Sequence, residues 1–207
     1  YWNDETLLKS SESRACSLIG ASGCLYAVRR AAYRPMYAEA CSDFLICTEL
    51  YRQGLRSIFE PDAVCYEHTN QRTHEEFKMR VRVISQTYTD LWRNADMLNP
   101  YKSGFYAVQL ISHKLLRYCV PLILAVILLT NLFLAGRSVF WDILLLGQAA
   151  VYAAAFLGWL VERAGRRITL LAIPLYFVLA NLASAIAFFR FIRGERVVTW
   201  EPIRETR

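Results

Sequence analysis

Hydrophobic and polar positions split this chain into two unlike halves. The second half holds three long apolar blocks, roughly 118–135, 139–161 and 168–189. Each is long enough to cross a hydrocarbon core of ~30 Å as a helix. The first half is mixed in pattern and has no apolar block of that length. Pro174, Asn181 and Ser184 interrupt the third block. Such residues point to packing against neighbouring helices rather than to lipid contact alone.

Shorter periods organise the first half. Residues 5–15 are polar and read as a short helix or a loop. A turn of small residues, Gly20, Ala21, Ser22 and Gly23, leads into Cys24, Leu25, Tyr26, Ala27 and Val28, which predict a strand. Ser42 is placed as an N-cap, with Asp43 in the first helical turn. Phe44, Leu45, Cys47, Leu50 and Tyr51 then recur at helical spacing up to the stop at Gly54. Two short strands, 58–59 and 63–66, are predicted around the turn at Glu60, Pro61 and Asp62. From 73 to 92 the pattern is amphipathic. Phe77, Val81, Ile84, Tyr88 and Leu91 share one face, and Lys78, Arg80, Arg82 and Asp90 decorate the rest. Thr73 to Glu76 makes a capping-box start. This segment reads either as a surface helix of a soluble domain or as an interfacial helix with its apolar side on lipid or the membrane bundle. Residues 105–116 form a second interfacial candidate.

Charge adds direction to this picture. The 207 residues carry a net charge of +6. The basic residues follow the apolar blocks instead of forming a patch with interleaved aromatics, so anionic lipid headgroups are the expected partner and nucleic acid is not. Lys102, Lys114 and Arg117 precede the first block. Arg137 alone lies in the first link, and Arg163, Arg166 and Arg167 lie in the second. The positive-inside rule then puts the polar half and the 162–167 loop on the cytoplasmic side. Three crossings would place Arg190, Arg193, Arg196, Arg204 and Arg207 on the other side, against the same rule. Either the rule fails here or one block does not cross.

Other chemistry is sparse. Six cysteines without a CxxC pair predict reduced thiols. His68, His74 and His113 lack metal-ligand spacing. Trp2, Asp4, Glu5 and Lys9 interrupt any signal-like run, and the start at Tyr1 reads as a fragment missing its N-terminal part. Asp43 is the carboxylate of most interest. Free backbone N–H groups at a helix start keep such a group ionised. It can then cap the helix, or accept a proton from a substrate hydroxyl.

Four segments in order resemble family 2 glycosyltransferases. Gly20 to Arg30 (GASGCLYAVRR) resembles that family's GaxGalyAiRR segment, and Ser42-Asp43 its ED or DD motif. Residues 50–64 (LYRQGLRSIFEPDAV) are similar to L.rqGyrvvyePeAv, and 73–82 (THEEFKMRVR) to the helix ending in QxxRW. The resemblance covers essentially the whole chain and is strongest from Gly20 to Trp92. It implies an α/β chain. Residues 1–98 would be the C-terminal half of a GT-A (nucleotide-diphospho-sugar transferase) domain. An interfacial segment at 99–117, membrane helices within 118–193 and a basic tail at 194–207 would follow. It implies inverting transfer of a sugar from a nucleotide-sugar donor to a lipid-linked or glycan acceptor, as in polysaccharide biosynthesis. Asp43 would be the general base. Arg82 would sit near the donor diphosphate, where a guanidinium suits phosphate. Gly20, Ala21, Ser22, Gly23, Ser42 and Arg80 complete the implied donor- and acceptor-binding set.

Departures from the pattern narrow that expectation. Ser42 replaces the first acidic residue, Met79 the glutamine and Val83 the tryptophan. The missing tryptophan argues for a short product or a lipid-linked acceptor over a long polymer. The family's nucleotide-binding half and its DxD motif are not in these residues. The resemblance therefore implies that the intact protein uses Mg²⁺ or Mn²⁺ on the diphosphate, and that this stretch alone is inactive. It further implies a bacterial inner-membrane location with the catalytic part cytoplasmic. The segment Val198, Thr199, Trp200, Glu201, Pro202 reads as an interface anchor, or as a tail folded back on the catalytic part. A competing reading is a non-catalytic membrane assembly or transport subunit with a degenerate transferase domain.

Overall fold

Helical periodicity in this sequence becomes helix, while its short apolar runs form no ladder among the described residues. The computed structural model describes residues 2–66, 73–166 and 168–195. Helix α1 is Trp2–Ala15, α2 Ser42–Arg52, α3 Thr73–Arg93, α4 Pro100–Ser103 and α5 Phe105–Leu110. A π-helical turn, Ile111–Leu115, joins α5 to α6, Leu116–Leu134; α7 is Val139–Arg163 and α8 Thr169–Ile192. His68, Arg167, the side chain of Thr73 and the tail from Arg196, with its Trp200 segment, lie outside the described residues.

No strand occurs among the described residues, so they do not form the expected α/β architecture of a GT-A domain. A strand needs a backbone partner as well as an alternating pattern. Here Leu18 N–H donates to Ser57 O at 2.9 Å, and Ser57 N–H to Ser17 Oγ at 2.9 Å, without extending into a ladder. Leu25, Tyr26, Ile58 and Val64, expected on strands, remain exposed.

Three helical runs are long and apolar enough to cross a membrane: Phe105–Leu134, Val139–Arg163 and Thr169–Ile192. They make this a membrane protein. α6 and α7 form a hairpin. Gly136 adopts φ +76 in its turn, and its N–H donates to Asp142 Oδ1 at 2.8 Å; Ser138 caps α7 by accepting from Phe140 N–H. Within the hairpin Asn131 Nδ2 donates to Gln148 Oε1 at 3.1 Å. Apolar surroundings favour such interhelical amide bonds.

The amphipathic helix α3 does not lie on open water. Its apolar face packs along α8: the Tyr88 ring lies 5.7 Å from those of both Phe188 and Phe191. Tyr88 Oη and Ser184 Oγ both donate to the carbonyl of Tyr118, at 2.9 and 3.0 Å, joining α3, α6 and α8 at one atom. A single buried cluster contains Phe44, Leu91, Met97, Tyr106, Leu110 and Ala187. The core therefore runs from the polar half into the apolar helices.

Candidate functional site

Asp43 lies in the first turn of α2, and three elements converge on it. Cys41 is the N-cap residue, with extended backbone and no side-chain cap bond. Its thiol donates instead to Asp43 Oδ1 at 3.0 Å, and the Phe44 N–H donates to the same oxygen at 2.9 Å. One carboxylate oxygen is thus fixed. The other, Oδ2, has no hydrogen-bond partner among the described residues. It lies 3.4 Å from the place a Cβ would take on Gly23.

The small-residue turn is laid across this helix start. Ala21 N–H donates to Asp43 O at 2.8 Å. At the other end of the turn, a Cβ on Gly20 would stand 3.7 Å from Lys114 Nζ. A Cβ at 20 or 23 would make ordinary contact with the ammonium or the carboxylate, so the glycines leave open space beside both charged groups. The structure thus brings Gly20, Ala21, Ser22, Gly23, Ser42 and Asp43 together, with Ser42 exposed beside Asp43.

Lys114 is the cation that sequence reasoning passed over as a basic flank of the first span. It comes from the π-helical turn Ile111–Leu115. A π turn inserts one residue per turn and re-aims the side chains around it. Lys114 Nζ lies 5.2 Å from the Phe44 ring centroid, a cation–π contact. It is close enough to Asp43 for their charges to interact. Yet it makes no ion pair within 4 Å and no hydrogen bond among the described residues.

The arginines fall elsewhere. Arg80 pairs with Glu76 one turn back on α3, at 2.6 Å. Arg82 is half-buried on α3, and among the described residues no hydrogen bond or ion pair connects it with the turn or with Asp43.

A second carboxylate supports the site from behind. Asp90, expected on the polar face of α3, is fully buried. It accepts from the Tyr37 hydroxyl and, at 2.9 Å, from Cys41 N–H. Burial pushes its carboxyl up to about 6, against the pull of those two donors and of Arg93. The connection before α2 is further held by Gln53 Nε2, which donates to Ala32 O at 3.0 Å. Burial first, then the Asp43 carboxylate, pushes the Cys41 thiol up to about 12, and burial pushes Cys47 up to about 11. Both remain neutral thiols near pH 7, and all six cysteines are free.

Among the described residues no three His, Cys, Asp or Glu side chains are grouped to hold a metal ion. The divalent cation implied by the resemblance finds no ligand set there. Comparison with protein-family models, curated proteins and solved structures gives no match to the chain.

Proposed function

We propose that this chain carries the acceptor-activating part of a membrane-bound inverting glycosyltransferase, with Asp43 as general base. The observation that carries the reading is the meeting of Gly20, Gly23, Asp43 and Lys114 at the end of the helix pair nearest the polar half. An acceptor hydroxyl beside Gly23 would give its proton to Asp43 Oδ2, the oxygen left without a donor. Its oxygen would form the new bond to the anomeric carbon of a nucleotide sugar while the bond to the diphosphate breaks. The diphosphate would leave with that electron pair. Transition-state charge of this kind is stabilised by a fixed cation in a partly dry site. Lys114 interacts with Asp43 through its charge, whereas Arg80 is engaged by Glu76.

The site stands at the start of the first span, which favours an acceptor presented from the bilayer, such as a lipid-linked hydroxyl. The glycines allow close approach of substrate to the backbone.

Asp43→Asn tests the base. It keeps the size of the side chain and removes the basic oxygen pair. In the full-length protein in membranes, transfer from a radiolabelled nucleotide-sugar panel should fall at least 100-fold, in line with loss of a general base. Membrane insertion should be unchanged. Transfer at the wild-type rate would remove Asp43 from the chemistry, whereas no transfer by the unsubstituted protein from any donor of the panel would favour the non-catalytic subunit.

A further inference from the structure

We propose that α8, although long and apolar enough to cross, lies along the membrane interface, so that the described chain crosses the bilayer twice and Glu195 is on the same side as the polar half. Two contacts fix the direction of α8. Near its start, Leu171 and Leu175 press against Gly158 of α7, where an added Cβ would be 2.7 Å from Leu171 O. Further along, Ser184 Oγ donates to Tyr118 O of α6 at 3.0 Å. Tyr118 is about 24 Å before the hairpin turn, and Gly158 about 28 Å beyond it, at 1.5 Å per residue. Both therefore lie at the open end of the α6–α7 hairpin, at similar depth. From Leu171 to Ser184 the helix advances about 20 Å. A third crossing would carry Ser184 that far towards the hairpin turn. It instead meets Tyr118, so this advance runs across the open end.

The partner of α8 leads to the same place. α3 runs parallel to α8: Glu76, Phe77 and Arg80 share a groove with Tyr176, Leu179 and Ala180, and the Trp92 ring approaches Phe191 at 6.3 Å. α3 carries His74, Glu75, Glu76, Lys78, Arg80, Arg82, Asp90 and Arg93. If α8 stood across the bilayer, this charged helix would be carried through the hydrocarbon beside it, where ionised side chains are expensive. Lying flat, the pair offers lipid a row from α8. Leu170, Ile173, Phe177, Phe189 and Ile192 are exposed, and Arg190 and Arg193 are exposed among the headgroup-level residues. α8 itself is apolar, and it is the amphipathic α3 beside it that supplies the polar face of a pair bound in the interface plane. It also removes the conflict between a basic C-terminal end and the positive-inside rule.

The inference does not rest on the transferase reading. It is tested by two exposed-site substitutions in the full chain, Glu195→Cys and Arg137→Cys, with an impermeant maleimide applied to sealed right-side-out and inverted vesicles. Peptide mapping reads each site, with native Cys65 marking the face of the polar half. The thiol introduced at 195 should react at least tenfold faster in the vesicle orientation in which Cys65 reacts. The thiol introduced at 137 should show the opposite preference. Labelling at 195 from the face that exposes position 137, or protection at 195 from both faces until detergent is added, overturns the proposal.

Discussion

Asp90 shows how much a single residue can depend on what covers it. Helical spacing assigns it to a polar face, because a one-dimensional pattern sees one packing surface. The structure gives α3 two such surfaces: α8 on one side and the connection before α2 on the other. Asp90 lies against the second, holding Tyr37 and Cys41 two residues before Asp43. Its carboxyl rises from 3.8 to about 6 on folding, chiefly through burial. The folded state therefore binds the proton more tightly than the unfolded chain. The stability gained is fully present below about pH 4 and is lost as pH rises through about 6. A rise of that size corresponds to roughly 3 kcal/mol at most. Asp90→Asn cannot ionise, so this part of the pH dependence should vanish in the variant. Thermal unfolding from pH 4 to 7 checks it: the midpoint should fall less steeply in Asp90→Asn than in wild type. Equal slopes would show that Asp90 does not carry the effect. Lys114 escaped the sequence for a related reason. Its π turn has no signature in apolar spacing, and that turn carries it to Asp43. The turn at Gly20 to Gly23 and Asp43 were legible because small residues and a helix start are local signals.

At the level of elements, the sequence disclosed helices far better than partners. The block expected at 139–161 is observed as Val139–Arg163, and the one at 168–189 as Thr169–Ile192. Both are set by apolar content and by local stops such as Gly165 and Gly194, each at positive φ. The strand expectations failed because pairing is non-local: the short apolar run of 24–28 is present, but among the described residues no ladder receives it. Nor does periodicity reveal where two helices meet most closely. In α7 that place is Gly158, and the contrast with Gly147 makes it measurable. A Cβ at 158 would stand 2.7 Å from the backbone oxygen of Leu171 and 3.3 Å from Leu175 Cβ, while one at 147 would meet nothing within 4 Å. Backbone cannot swing aside as a side chain can. Gly158→Ala should therefore force α8 away from α7 and cost about 1–3 kcal/mol. Gly147→Ala should be neutral or stabilising by up to about 1 kcal/mol, since alanine is the better helix former. Thermal unfolding of both variants in one lipid–detergent mixture separates them. A Gly158→Ala protein as stable as Gly147→Ala would mean that the two helices are not in close contact.

For the whole molecule, the division into a polar half and an apolar half describes composition more than structure. The buried cluster draws Ile19, Cys41 and Phe44 from the first 50 residues, Tyr88, Leu91 and Met97 from α3 and the 3-10 turn Ala95–Leu98, and Tyr118 and Ala187 from the apolar helices. Tyr106, with no exposed surface, stacks on Tyr51 at 4.1 Å and meets Thr48 through its hydroxyl at 3.3 Å, so even α2 is fastened to the helix that enters the membrane. Glu12 on α1 contacts His113 in the π turn. Composition shifts mark where a chain enters lipid, but not where its core ends, because tyrosine and small residues serve both sides of that boundary. A chain ending at residue 117 would lose Tyr118, Ala187, Phe188 and Phe191 together. Tyr88 and Leu91 would then face water, and the Tyr88 hydroxyl would lose its acceptor. Burial of each such side chain contributes about 1.5–3 kcal/mol, against a total stability of about 5–15 kcal/mol for a domain. Losing several at once removes most of that margin. The shortened chain should show no cooperative unfolding transition, and trypsin should cut α3 at Arg80, Arg82 or Arg93 at least tenfold faster than in the full chain. A cooperative melt with α3 still protected would show that the polar half is a self-sufficient domain after all, with its core closed without α8.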